Sequence, residues 1–123
     1  METIKAYTDI HQSKKLAEIL GLKSADMVYC AIHNIGQEIY HCNVPIFAYA
    51  SHKDIPCWSL SALLNLIPDS IYENTDDFAQ LEITKRSVGY HDINDNIVIG
   101  TLADNLVDAC YKMILKLNEQ SLL

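Results

Sequence analysis

The chain has 123 residues, half of them apolar, with sixteen acids against nine bases and a formal charge of −7. That length predicts a single domain over residues 1–123, with a core large enough to need no disulfide or metal staple. The acidic balance opposes phosphate backbones and anionic membranes alike, so direct nucleic-acid binding is disfavoured, and no apolar run approaches the roughly 18 residues of a membrane span.

The N-terminus, Met1-Glu2-Thr3-Ile4-Lys5-Ala6, lacks the apolar stretch of a signal peptide, which predicts a cytoplasmic protein. In that compartment Cys30, Cys42, Cys57 and Cys110 are expected as free thiols, mostly buried, rather than as two disulfides.

Asp9 followed by Gln12 has capping-box spacing, with Thr8 as the alternative cap, and opens a first helix of about 12 residues. Ile10, Leu16, Ile19 and Leu20 give it an apolar side, and His11, Gln12, Lys14, Lys15 and Glu18 a wet one. Gly21 stands where a left-handed C-cap is wanted. Residues 27–33 are rich in β-formers and run into a turn at Asn34-Ile35-Gly36, from which residues 39–42 pair back as a hairpin arm. Pro45 suits an edge or first strand position, and residues 46–50 read as a further strand.

Residues 55–68 hold Pro56 and Pro68 near their ends and the only tryptophan, Trp58. Leu60, Leu63, Leu64 and Ile67 fall at the spacing of one helical face, Ser59 is the natural N-cap, and Pro68 ends the helix. Two turns cannot stand alone, so Leu63 and Leu64 are expected in the core, with Trp58 as a lid over it.

After an acidic, turn-rich region with a brief strand at Ile71-Tyr72, residues 80–85 alternate, with Leu81 and Ile83 inward. Residues 88–91 and 97–99 complete an antiparallel meander, turning at Arg86-Ser87 and at Asn94-Asp95-Asn96. The unbroken triplet Ile97-Val98-Ile99 predicts a strand covered on both faces. Leu102, Leu106, Ala109, Cys110, Met113, Ile114 and Leu117 then hold one face of a final helix capped by Thr101 or Asp104. The order of elements predicts an α+β fold: a mostly antiparallel sheet of about five strands with three helices packed mainly on one face.

Three blocks carry a resemblance: Gln12-Ser13-Lys14-Lys15-Leu16-Ala17-Glu18 followed by Ser24-Ala25-Asp26-Met27, Trp58-Ser59-Leu60-Ser61-Ala62-Leu63-Leu64 with Leu66-Ile67-Pro68, and residues 104–114 from Asp104 to Ile114. In that order the chain resembles small uncharacterised proteins of Bacteroides-type gut bacteria, their prophages and mobile elements. The resemblance implies a bacterial intracellular or phage-associated setting. It brings no catalytic or binding residue with it.

Among chemistry-bearing residues, Cys30-x-x-His33 with His41-Cys42 on the next hairpin arm offers four zinc-type ligands, although Cys30 and His33 point to opposite faces of a regular strand. Cys57 precedes a helix N-terminus, where dipole and amides lower a thiol pKa, and His52 is near enough in sequence to act as its base. Packing beside Trp58 explains Cys57 better. Asp92-x-Asn94-x-Asn96 starts like a calcium loop, but Ile97 and Ala103 replace its glycine and its closing glutamate, which leaves a hydrophilic hairpin turn. The four glycines, Gly21, Gly36, Gly89 and Gly100, are too scattered for any phosphate cradle. No nucleophile elbow or zinc-protease motif is present, and no motif implies a cofactor.

These absences, the acidic charge and the seven tyrosines predict a non-enzymatic accessory domain working by protein–protein contact, with a homodimer as one form of it. Two alternatives stay open. One is a small thiol- or metal-dependent enzyme using Cys57 or the Cys30 group; the other is an acidic nucleic-acid mimic, which requires one continuous carboxylate face.

Overall fold

The computed structural model describes residues 4–33 and 39–123. They form three α-helices and three antiparallel sheets, an α+β architecture, and divide into two compact units: residues 6–62, and residues 4–5 with 63–123. Among the described residues no helix is long and apolar enough to cross a membrane. The expected turn at Asn34-Ile35-Gly36 lies outside the described residues.

In the first unit, α1 (Ile10–Ala17) opens with the expected capping box: the Gln12 N–H donates to Asp9 Oδ1 at 2.8 Å, and the Asp9 N–H donates to Gln12 Oε1 at 3.1 Å. That return contact draws Gln12 inward, so it is buried where the helical wheel placed it in water. Gly21 is no left-handed cap. Its φ of −71° and ψ of 146° are extended, and it leads into a turn of 3-10 helix, Leu22–Ser24.

Five short strands follow: β1 (Met27–Tyr29), β2 (Ala31–His33), β3 (Ile39–His41), β4 (Ile46–Phe47) and β5 (Ile55–Cys57). They build two sheets, β4-β1-β5 and β2-β3, where a single five-stranded sheet was expected for the whole chain. The break falls at Cys30. Two residues beyond Tyr29, which pairs with Ile55, the amide of Ala31 donates at 2.8 Å to the carboxylate of Asp54 instead of to a neighbouring strand. The residue 46–50 strand shortens to two residues. Met27, Tyr29, Ile55 and Cys57 form the core of this unit, with Tyr7 and Ile10 packed on them. Trp58 is fully buried, so it is core rather than lid.

The chain passes to the second unit within α2 (Leu60–Leu66), whose Ala62 N–H donates to Ser59 Oγ, the expected cap, at 3.2 Å. Leu63 is fully buried, whereas Leu64 is only half-buried. The second sheet system runs β6 (Ser70–Ile71), β7 (Ala79–Ile83), β8 (Ser87–His91) and β9 (Ile97–Leu102) in simple antiparallel order, with β8 central and β9 at the edge. Because β9 is an edge, Ile97 and Val98 stay exposed, against the expectation of cover on both faces; Ile83, expected inward, is also exposed. β9 runs on to Leu102, so the final helix α3 starts only at Leu106 and ends at Glu119. Its cap is Asn105, which accepts the Asp108 N–H at 2.9 Å, not Thr101 or Asp104. Ala109, Cys110, Met113, Ile114 and Leu117 are buried as the periodicity requires, but Leu106 is only half-buried, Leu102 lies on β9 and is 71% exposed, and Val107, not expected on that face, is buried; α3 packs against β8 and β9.

Candidate functional site

Exposed apolar side chains are densest in one stretch of the first unit: Ile32, Ile39, Tyr40, Val44, Ile46, Phe47 and Tyr49. Their exposure has a structural origin. Among the described residues β2 and β3 form a ribbon without a third strand, and Ile32 stands directly opposite Tyr40 on it. β4 is an edge strand whose partners Val28 and Met27 are buried, while its own Ile46 and Phe47 are not. Phe47 is 74% exposed and Tyr49 90%. Scattered single apolar residues need no explanation, but seven between positions 32 and 49, two of them tyrosine and one phenylalanine, have the composition of an interface.

Asp54 ties the neighbouring loop to this ribbon. One carboxylate oxygen accepts the Ala31 N–H; the other accepts the Ser51 N–H and hydroxyl, each at 2.9 Å. These hydrogen bonds favour the charged form and hold its carboxyl below the usual range, the Ala31 amide contributing most. His41 Nε2 lies 2.8 Å from the Lys53 carbonyl and fixes the same loop from the other strand.

Cys57 has no exposure at all. Burial pushes its thiol pKa up, partly offset by hydrogen bonding to Thr8, Ser13 and Tyr29. A nucleophile needs the opposite shift. His52 sits exposed in the turn before β5, and no hydrogen bond joins it to Cys57. Of the zinc-type set, Cys30 and Cys42 are half-buried free thiols that flank the paired strands β2 and β3, linked by a Cys42 N–H to Cys30 C=O hydrogen bond of 2.9 Å, and His41 is engaged with Lys53. The side chain of His33 lies outside the described residues.

Among the described residues, one group of His, Cys, Asp or Glu side chains is close enough to share an ion: Glu82, His91 and Asp95. The carboxylates of Glu82 and Asp95 face the two ring nitrogens of His91, at 3.2 Å from Nε2 and 3.1 Å from Nδ1. Sequence reading missed this group because its members meet only through strand register. Asp92, the head of the calcium-like motif, instead accepts the Asn94 and Asn96 amides at 2.9 Å each and closes the β8–β9 hairpin. On the sheet face carrying Glu82 and His91 lies an open cavity of about 530 Å³. Glu82 and His91 are the only titratable groups lining it, too few for a converging acid–base site.

Comparison with family models, with curated proteins and with solved structures finds no match to this chain.

Proposed function

We propose that this protein is a non-enzymatic interaction module that binds a partner protein, or a second copy of itself, through the apolar surface of β2, β3 and β4. The observation that carries the reading is the run of seven exposed large apolar residues between positions 32 and 49. The full burial of Cys57, which pushes its thiol pKa up, and the presence of only two titratable groups in the cavity on the Glu82 and His91 face support it against the enzyme reading. A cytoplasmic, phage- or mobile-element-associated setting belongs to the same reading and rests on the resemblance of the sequence blocks.

Its test is the double variant Phe47→Ser/Tyr49→Ser. Both side chains are mostly in water, so the melting temperature should hold, the cost staying within about 0.5 kcal/mol. Sedimentation velocity and affinity capture from the native host then compare variant with wild type. Self-association or capture of a defined partner should weaken by about tenfold or more, as for loss of central aromatic anchors. Undiminished association by the variant overturns the reading.

A further inference from the structure

We propose that Cys30 and Cys42 form a redox-modification site, two thiols that close into a reversible disulfide across one end of the β2–β3 ribbon when a small disulfide oxidant reaches them. The site concerns the covalent chemistry of this chain alone, so it stands whether or not the β2–β4 surface binds a partner.

Strand register makes the pair. Ala31 stands opposite His41 and Ile32 opposite Tyr40, and one step back along both strands sets Cys30 opposite Cys42. The 2.9 Å bond from the Cys42 N–H to the Cys30 carbonyl is the rung that joins them. Residues directly opposite on an antiparallel pair project to the same face. On a hydrogen-bonded rung their Cα atoms lie about 5.5 Å apart, inside the ~4.4–6.8 Å that a disulfide bridges. The same alternation sends His41 to the other face, where its Nε2 meets the Lys53 carbonyl at 2.8 Å. The register thus separates His41 from the two thiols and sets the thiols side by side.

Accessibility distinguishes this pair from the other cysteines. Cys30 and Cys42 are free thiols, half-buried and so open to a small reagent. Cys57 and Cys110 have no exposure at all, and burial pushes the Cys110 thiol up to about 11. Cys57 stands opposite Met27 in its own ladder, and its Sγ donates to the Thr8 carbonyl at 3.3 Å.

The rung also makes the disulfide easy to reduce. Opposed Cβ atoms on a sheet lie ~4.5–5.5 Å apart, the wider spacing on hydrogen-bonded rungs, whereas a relaxed disulfide holds them near ~3.8 Å. Closure has to draw the two strands together. The ladder ends at this rung, since Cys42 runs into a bend at Asn43-Val44 and Cys30 leads back to β1 of the other sheet. A disulfide held against such a pull is reducible, as regulatory ones are. Ile32 and Tyr40 lie two residues further on, on the same face and exposed, so the bond forms at the border of the apolar surface.

The step balances with a low-molecular-weight disulfide as oxidant. One thiolate of the pair attacks a sulfur of glutathione disulfide, breaking its S–S bond and releasing one glutathione thiolate. The other protein thiolate attacks the mixed disulfide, which forms the Cys30–Cys42 bond and releases the second glutathione. The pair loses two electrons and two protons, and the oxidant leaves as two thiols.

The test is oxidation of the reduced full chain with glutathione disulfide, alkylation of the remaining thiols after unfolding, and mass spectrometry. Cleavage at lysine, arginine and glutamate separates residues 24–38, which hold Cys30, from residues 39–53, which hold Cys42. Those two peptides should be recovered joined, with Cys57 and Cys110 alkylated, and excess reduced glutathione should part them. Cys30→Ser should leave Cys42 as a glutathione mixed disulfide. Cys42→Ser/Asn43→Cys moves the second thiol off the rung to an exposed neighbour and should cut the yield of joined peptide about tenfold or more. Should that variant fail to fold, the wild-type peptide map decides. Separate glutathione adducts on Cys30 and Cys42, two thiols left free, pairing with Cys57 or Cys110, or equal joining in the shifted variant overturns the site.

Discussion

The two units satisfy their polar groups in different ways. In residues 63–123 the ladder does most of the work: β7, β8 and β9 have five or six residues each, and polar side chains bond chiefly at turns and caps, as Asp92 and Asn105 do. Among the described residues of 6–62 no strand exceeds three residues, and buried or half-buried side chains take over from the ladder. Thr8 is the hub. Its hydroxyl accepts the Trp58 N–H at 3.1 Å and meets Ser13 Oγ at 2.8 Å, while its carbonyl accepts the Tyr29 hydroxyl at 2.8 Å. Asp26 takes the N–H and hydroxyl of Ser59, and the Trp58 indole N–H donates to Ser24 Oγ at 3.0 Å. Short ladders end quickly, and each end leaves amides that must find partners. Among the described residues no buried side-chain nitrogen or oxygen lacks one.

The largest effect should come from Trp58→Ala, which empties the biggest fully buried side chain of the first unit and removes its indole donor. A loss of ~3–5 kcal/mol is expected, measured by circular dichroism in urea because the variant has no tryptophan left to report. A sharper break of the comparison sets two buried threonines against each other. Thr8→Val leaves the Trp58 N–H without an acceptor and should cost ~1–3 kcal/mol. Thr101→Val removes only a donor to the Val88 and Ala109 carbonyls, which belong to regular ladder and helix, and should cost less than ~1 kcal/mol. Equal unfolding midpoints for the two variants would erase the distinction between a side-chain-stapled unit and a ladder-held one.

The elements read most fully from sequence are those whose signals are local. The Asp9–Gln12 box, the Ser59 cap and the α3 periodicity each lie within a few turns of chain, and each is found in place. What the sequence withheld depends on contacts between distant residues. Ile97-Val98-Ile99 has the composition of a covered strand, and only the sheet order makes it an edge. The split of the expected sheet turns on one carboxylate, Asp54, meeting an amide 23 residues away. Tyrosines show the same limit: Tyr29 and Tyr90 are buried with their hydroxyls bonded to carbonyls, while Tyr40 and Tyr49 face water, and nothing in their neighbours' identities separates the pairs. Gly89 and Gly100 likewise read as scattered until register sets them side by side.

Asp54 gives the comparison its smallest and most specific test, because its contribution depends on pH. The Ala31 and Ser51 amides and the Ser51 hydroxyl all stabilise the charged carboxylate, so its folded pKa lies below the unfolded one. A depressed folded value means that the stabilisation is complete above the unfolded carboxylate range, near pH 4, and is lost as pH falls through the folded pKa. Asn in its place keeps one oxygen for the Ala31 amide but turns an NH₂ toward the Ser51 donors, and it cannot titrate. Asp54→Asn should therefore be less stable than wild type at pH 7, and the gap should narrow as both are acidified to about pH 2. Urea midpoints across that range measure it. Parallel profiles would mean that the end of the β1 ladder is held by the Cys42–Cys30 backbone bond alone, and that the carboxylate merely occupies a site the ribbon had already made.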